Sequence, residues 1–130
     1  MPRAPATYRS HSESRESSRL AYEKGRRNST ARGYDRQWAK AARLYRAEHP
    51  LCEYCELEGL VTTATLVDHL YPHRSDRTIF WLRALWVSCC NTCHSEWKQR
   101  LERQGTAALD ALAWRLGRPT LLEAMREAQG

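Results

Sequence analysis

Four cysteines form two CxxC pairs, Cys52 with Cys55 and Cys90 with Cys93. Two residues between ligands let a tight turn direct both thiolates at one ion, and four thiolates in a tetrahedron match zinc. In a chain of 130 residues, a bound metal can supply folding free energy that a small core cannot. The spacing therefore predicts one structural zinc site, with two chance pairs of buried thiols as the alternative. Cys89 breaks the spacing, and we expect it to be a small buried residue.

A carboxylate and three imidazoles lie between and directly after the CxxC pairs: Asp68, His69, His73 and His94. A carboxylate and an imidazole held on one scaffold can share a divalent ion and leave positions open for phosphate oxygens and water. A second imidazole beside them can act as a base. A structural histidine is the commoner role of an isolated Asp-His pair, but the placement between two CxxC pairs favours a catalytic ion.

A helix is predicted to begin after Asp35, a good N-cap residue, and to end before Pro50. Its apolar residues recur at the i, i+3, i+4, i+7 spacing of an amphipathic helix: Trp38, Ala41, Ala42 and Tyr45. Basic residues occupy the opposite side: Arg36, Lys40 and Arg43, with Arg46 at the edge. This basic face is either solvated or in contact with nucleic-acid phosphates, and Arg74 in a later loop is a further candidate for such contact.

Short strands and helices are predicted over the rest of the domain. Residues 61–70 are rich in β-branched side chains and predict one or two strands. Residues 71–77 predict a loop, and the mostly apolar residues 79–87 predict a second strand. A further helix is predicted with Thr92 as its N-cap, running toward Gly105.

The end of the chain predicts a helical extension, residues 105–130. Three leucines share one face of its first helix: Leu109, Leu112 and Leu116. Gly117 and Pro119 end that helix, and Thr120 with Glu123 forms a capping box for a second one. We expect the apolar faces to pack on the preceding domain, residues 34–104, because helices this short need tertiary burial.

Positive charge is concentrated at the start of the chain. The net charge is +6, and most of the excess lies in residues 1–33, which offer little to bury. Such a segment cannot offset its chain entropy by packing, so we expect a disordered basic arm. The arm either contacts the phosphates of a nucleic acid or serves as a solubilising tail.

No apolar run in the sequence approaches the length of a membrane span or of a signal-peptide core. We therefore expect no membrane association and a cytoplasmic location. Thiols stay reduced in the cytoplasm, so the cysteine spacing indicates metal binding rather than disulfide bonds.

The sequence resembles the HNH endonucleases, most closely the small zinc-containing branch found in phages and prophages beside DNA-packaging genes. The resemblance spans residues 32–100 and rests on five segments in the same order: RGY at 32–34, HPLCEYC at 49–55, GLVTTATLVDHLYPHR at 59–74, FW at 80–81 and CNTCH at 90–94. It implies an α+β fold of the ββα-metal type, in which a two-stranded hairpin and a helix surround a catalytic ion. The four-cysteine zinc site would lie alongside.

The resemblance also implies a role for each polar residue. Asp68 and His94 would ligate the catalytic ion, which could be Mg²⁺, Mn²⁺ or Ni²⁺, and His69 would be the general base that deprotonates water. His73 could touch the metal or the phosphate. The implied products are a 5′-phosphate and a 3′-hydroxyl.

One position departs from the family pattern. The asparagine of the family name, which hydrogen-bonds backbone across the loop carrying the base, should fall at Leu85. Leucine cannot make that bond. Position 85 either faces the loop that carries His69 or has become a packed core residue between Trp81 and Trp86.

Two classes of function therefore remain open. The first is a metal-dependent DNA endonuclease or nickase associated with phage or prophage DNA packaging, in which packaging proteins are possible partners. The second is a zinc-stabilised DNA-binding accessory module that does not cut. A purely structural zinc protein that binds other proteins is a more distant alternative.

Overall fold

The computed structural model describes residues 17–20 and 31–130. Residues 36–130 form one compact unit. The predicted disorder of the arm concerns residues 1–33, most of which lie outside the described residues. No helix in the described part of the chain is both long and apolar enough to cross a membrane.

The first helix of the compact unit, α1, spans Arg36–Glu48. It buries Trp38, Ala42 and Tyr45, so the predicted amphipathic helix is confirmed. A short second helix, α2, spans Glu53–Leu57 and begins directly after Cys52.

Two short strands form an antiparallel hairpin, β1 over Leu66–His69 and β2 over Trp86–Cys89. Their register pairs His69 with Trp86 at one end and Leu66 with Cys89 at the other. An isolated bridge between Leu51 and Thr63 precedes β1. The prediction of one or two short strands within residues 61–70 is therefore confirmed.

The predicted strand over residues 79–87 is wrong for most of its length. Helix α3 spans Arg77–Phe80, a 3₁₀ turn spans Arg83–Leu85, and only the last two residues of the range belong to β2. The Asp76 side chain accepts hydrogen bonds from the backbone N–H groups of Thr78 and Ile79, which starts α3. A short apolar run is compatible with either a strand or a buried helix, and the N-cap at Asp76 favours the helix.

The helix that begins at Asn91, inside the second CxxC pair, is irregular. A π-helical segment spans Cys93–Lys98 and continues as α4 over Gln99–Arg103. Thr92 lies inside the helix and its side chain makes no capping bond, so its predicted role was wrong.

The C-terminal helices are α5, Thr106–Leu116, and α6, Leu121–Gln129. Gly117 ends α5 with φ at +69°, a conformation that favours glycine. Thr120 Oγ1 accepts a hydrogen bond from the Glu123 N–H at 3.2 Å, as the predicted capping box requires.

Buried side chains form two clusters. The first, called the cysteine core here, joins the CxxC pairs to the C-terminal helices. The apolar faces of the extension therefore pack on the preceding domain, as predicted. The members of the cysteine core are Cys52, Tyr54, Cys55, Leu70, Tyr71, Leu82, Leu85, Val87, Cys89, Cys90, Cys93, Leu109, Leu112, Ala113 and Ala124. The tryptophan cluster lies between α1, the hairpin and α3: Trp38, Ala42, Tyr45, Val67, Phe80 and Trp86. Between them, the clusters fix both strands of the hairpin, and β1 carries Asp68 and His69.

Candidate metal centre and active site

The four cysteines of the CxxC pairs come together as predicted. Cys52 precedes α2 and Cys55 lies within it, while Cys90 and Cys93 flank the start of the irregular helix. The Cys55 sulfur lies 3.8 Å from that of Cys90 and 3.5 Å from that of Cys93. All four sulfurs lie within 4.8 Å of one another. Sulfurs bound to one tetrahedral zinc at about 2.3 Å are about 3.8 Å apart, so the cluster is compatible with zinc.

Burial raises the pKa of the Cys52 and Cys93 thiols. Without a cation these thiols hold their protons at neutral pH, so loading zinc would release protons. Cys89 is fully buried, and its thiol donates a hydrogen bond to the Cys90 carbonyl at 3.1 Å. It stays outside the four-sulfur cluster, as the spacing predicted.

Asp68 is a buried carboxylate on β1, only 5% exposed. Its Oδ2 accepts a hydrogen bond from the Tyr54 hydroxyl at 2.7 Å and forms an ion pair with the Lys98 ammonium at 3.0 Å. Its Oδ1 faces His94 Nε2 at 3.6 Å. Two ligand atoms about 2.1 Å from one ion are about 3.6 Å apart when the angle at the ion is near 120°. The pair therefore fits a shared divalent ion, and the His94 side chain, 40% exposed, leaves one side open to solvent.

Lys98 belongs to the site and was missed by the sequence analysis. Its side chain is 0% exposed, and its ammonium also reaches Glu102 Oε1 at 2.7 Å and the His69 carbonyl at 3.1 Å. A lysine in a helix of mostly polar residues ordinarily faces solvent, so no sequence signal marked this one. By occupying Oδ2 of Asp68, the ammonium directs Oδ1 toward His94.

His69 is packed against two aromatic rings, and one of its ring nitrogens faces a backbone carbonyl. The Trp38 ring stacks on it with centroids 4.8 Å apart and an interplanar angle of 25°, and the Phe80 ring lies 4.4 Å away. Its Nε2 lies 3.1 Å from the Phe80 carbonyl oxygen. That acceptor assigns the proton of the neutral ring to Nε2, which leaves the lone pair on Nδ1. Burial, with a smaller effect from the charge of His73, lowers the pKa of His69 to about 4, so the ring is neutral at pH 7.

His73 lies beside His69, with ring centroids 4.8 Å apart. Its Nδ1 accepts a hydrogen bond from the Ser75 N–H at 3.0 Å, so the neutral ring carries its proton on Nε2. This tautomer suits donation to a phosphate oxygen better than metal ligation. The loop is strained, because Arg74 and Ser75 have φ of 48° and 64°.

The candidate DNA-binding residues are exposed: Arg36, Lys40, Arg43 and Arg74. The first three lie on α1, the helix that also supplies Trp38 to the His69 ring. Arg46 instead donates a hydrogen bond to the Thr65 carbonyl at 2.8 Å and so helps fix α1 to the segment before β1.

Leu85 is a core residue, only 2% exposed, within the cysteine core. The expectation that Leu85 is a packed core residue is confirmed. Its expected position between Trp81 and Trp86 is wrong, because both tryptophans belong to the tryptophan cluster. Its backbone carbonyl accepts a hydrogen bond from the Leu70 N–H at 2.9 Å. The side chain is turned inward and offers the base no hydrogen bond.

A hairpin carrying a carboxylate and an imidazole, a following helix with a second imidazole, and an adjacent four-cysteine cluster are the arrangement of a ββα-metal fold. The HNH endonuclease of the deep-sea thermophilic bacteriophage GVE2, whose crystal structure was determined with manganese ion, matches this chain with a TM-score of 0.50 and 29% sequence identity. The match covers 65% of this chain and 95% of the phage chain. It confirms the resemblance to HNH endonucleases, and roughly a third of the present chain lies outside it.

Comparison with protein-family models gives no match for this chain, and no curated protein sequence matches it significantly.

Proposed function

We propose that this protein is a metal-dependent DNA endonuclease or nickase that hydrolyses phosphodiester bonds. The observation that supports the proposal is the Asp68–His94 pair, whose facing atoms lie 3.6 Å apart, with a neutral, stacked His69 directly after Asp68 in β1. Similarity to a phage HNH endonuclease supports nuclease activity in general. Association with phage DNA packaging rests on the sequence resemblance and on the phage origin of that neighbour.

The proposed mechanism assigns a task to each polar side chain. Asp68 Oδ1 and His94 Nε2 would hold a divalent ion, Mg²⁺, Mn²⁺ or Ni²⁺, which would stabilise negative charge on the phosphate and the departing 3′-oxygen. Nδ1 of His69 accepts the proton of the attacking water, and the Phe80 carbonyl stabilises the resulting imidazolium through Nε2–H. His73 donates from Nε2 to a phosphate oxygen. The departing 3′-oxygen takes a proton from solvent, so the products are a 5′-phosphate and a 3′-hydroxyl.

The remaining candidate residues bind rather than react. Cys52, Cys55, Cys90 and Cys93 hold a structural Zn²⁺, which requires reduced thiols and so favours the cytoplasm. The exposed basic residues of α1, together with Arg74, contact DNA phosphates.

The second candidate is a zinc-stabilised module that binds DNA without cutting it. Leu85 favours this candidate, because its inward-facing side chain gives the base none of the support that the family asparagine implies.

Nicking of supercoiled plasmid separates the two candidates. Zinc-loaded protein is incubated with Mg²⁺, Mn²⁺ or Ni²⁺, with and without EDTA, and open-circular and linear products report single- and double-strand cuts. His69→Ala should abolish cutting while zinc content and DNA binding persist. The matched control is His49→Ala, which removes a histidine packed on Tyr45. DNA binding by the parent without cutting in any of the three metals would establish the accessory module instead.

A further inference from the structure

Arg118 lies in the turn between α5 and α6, and its guanidinium is 17% exposed. Nη1 donates to two backbone carbonyls, Ala84 at 2.9 Å and Trp86 at 2.8 Å. Nη2 donates to the Tyr45 hydroxyl at 2.7 Å and to Glu53 Oε1 at 2.6 Å. A planar guanidinium presents several donors in a fixed geometry, so one side chain can fix all four acceptors at once.

The two carbonyls flank Leu85 in the turn that leads into β2. The hydrocarbon side chain of Leu85 can form no hydrogen bond, so polar contacts to this turn are made through its backbone. The Tyr45 hydroxyl donates to the Trp86 carbonyl at 2.8 Å. Glu53 Oε2 accepts the N–H of Ser88, two residues further along β2. Arg118 is thus the centre of a network that fixes the start of β2 from outside the hairpin.

The start of β2 in turn fixes the imidazole of His69. Trp86 pairs with His69 in the hairpin register. The Trp86 indole N–H donates to the Phe80 carbonyl at 3.0 Å, and the same oxygen faces His69 Nε2 at 3.1 Å. A shift of Trp86 would therefore move the acceptor that sets the tautomer and orientation of the His69 ring.

We infer that Arg118 is a positioning residue for His69, acting through residues 84–86 and the Phe80 carbonyl. The C-terminal extension is then part of the catalytic machinery as well as a cover for the cysteine core. The effect on cutting rests on the proposed nuclease function, whereas the effect on the His69 ring does not.

Two substitutions of Arg118 test the catalytic effect. Arg118→Lys keeps the charge but loses the planar donor set, and Arg118→Gln removes the charge. In both variants the single-turnover cutting rate at saturating Mn²⁺ should fall by roughly ten- to a hundredfold, because small displacements of a catalytic group are costly. KM for DNA and zinc content should stay at parental values. The control is Arg115→Gln, an exposed arginine of α5 that contacts Glu58 at 3.4 Å and should cut normally.

The His69 ring supplies a readout that does not require cutting. In zinc-loaded protein without Mn²⁺, ¹⁵N NMR of the imidazole should show the Nε2–H tautomer for the parent and for Arg115→Gln. Both Arg118 variants should show mixed tautomers. If the Arg118 variants fail to fold, Tyr45→Phe is used instead, because it removes one oxygen from the network. It should cause a smaller shift toward mixed tautomers of the His69 ring.

A parental tautomer and a parental cutting rate in folded Arg118 variants would overturn the inference. A parent that binds DNA but never cuts would refute the proposed function, and the NMR result would still decide whether Arg118 positions His69.

Discussion

A single buried ammonium is the ion-pair partner of Asp68 inside the domain. Lys98 contacts Asp68, Glu102 and the His69 carbonyl, so its charge is fully paired. Replacing Lys98 with an apolar side chain would leave a buried carboxylate without its counter-charge. The stability lost in this way is ordinarily larger than the net stability that the intact ion pair contributes.

We therefore predict that Lys98→Met lowers the free energy of unfolding by about 3 kcal/mol. Urea denaturation of zinc-loaded protein measures this value. Arg100→Met, on the exposed side of the same helix, is the control and should change stability by less than about 0.5 kcal/mol. Equal effects of the two substitutions would show that Lys98 is not electrostatically coupled to Asp68.

The depressed pKa of His69 predicts a loss of stability in acid. Folded His69 takes up a proton only near pH 4, whereas an unfolded histidine does so near pH 6.5. Between these values the unfolded state binds more protons, so the stability that is present above pH 6.5 is lost as the pH falls toward 4. At pH 5 the loss should be about 2 kcal/mol relative to pH 7.5.

The measurement is urea unfolding at both pH values, for the parent and for His69→Gln. Protonation of the zinc thiolates affects both proteins, so the difference between them isolates the histidine. The glutamine variant should lose about 2 kcal/mol less than the parent. Identical losses would mean that His69 titrates normally in the folded protein.

Leu85 yields a prediction from its burial in the cysteine core. In Leu85→Asn an amide enters an apolar environment without partners, at a cost of about 1–3 kcal/mol, and gains no contact with the base. The melting temperature should fall, and single-turnover nicking should be no faster. Leu85→Met, which nearly conserves volume, should be close to parental in both. Faster cutting by Leu85→Asn would show that position 85 can reach the loop carrying His69.

At the scale of elements, the sequence predicted those elements whose residues carry a local signal. The apolar spacing of α1, the β-branched run before His69 and the N-cap at Thr120 each appear in the structure. The four-cysteine cluster was predictable because ligand spacing is a local property. The 3₁₀ turn before β2 was not, because an apolar run has no period that distinguishes it from a strand.

Long-range contacts account for the parts of the site that the sequence did not reveal. Lys98 is buried by the π-helical segment, which changes the angular spacing of its residues from that of an α-helix. Arg118 meets the start of β2 only because α5 packs on the cysteine core. Trp38 was predicted as a core residue, and its stacking on His69 depends on where α1 meets β1.

The two CxxC pairs connect α2 to the end of β2 and the start of the irregular helix, so zinc should control folding of all three elements. We predict that Cys93→Ser loses zinc and most of its helical circular dichroism, because metal-binding free energy is folding free energy in so small a domain. Cys89→Ala is the control, since it removes a buried thiol outside the cluster and should retain zinc. Elemental analysis that finds no zinc in folded, reduced parent protein would contradict the prediction.

At the scale of the whole molecule, positive charge and catalytic groups occupy different parts of the chain. Most of the net charge of +6 lies in residues 1–33, and the candidate site lies in the compact unit 36–130. Phosphate contacts govern affinity and its dependence on salt, whereas the rate on bound DNA depends on the site. The two properties should therefore be separable by changing the arm alone.

Deleting residues 1–31 removes seven basic residues and three acidic ones and leaves the compact unit intact. If the arm contacts DNA, the slope of log affinity against log salt should become shallower by up to about 0.9 for each phosphate that the arm neutralises. The single-turnover cutting rate at saturating protein should stay at the parental value, since no site residue is removed. Fluorescence anisotropy with a labelled duplex at several salt concentrations measures the slope, and a full-length variant whose arm arginines and lysine are glutamine controls for length. An unchanged slope in both variants would make the arm a solubilising tail and would leave phosphate binding to the basic face of α1 and to Arg74.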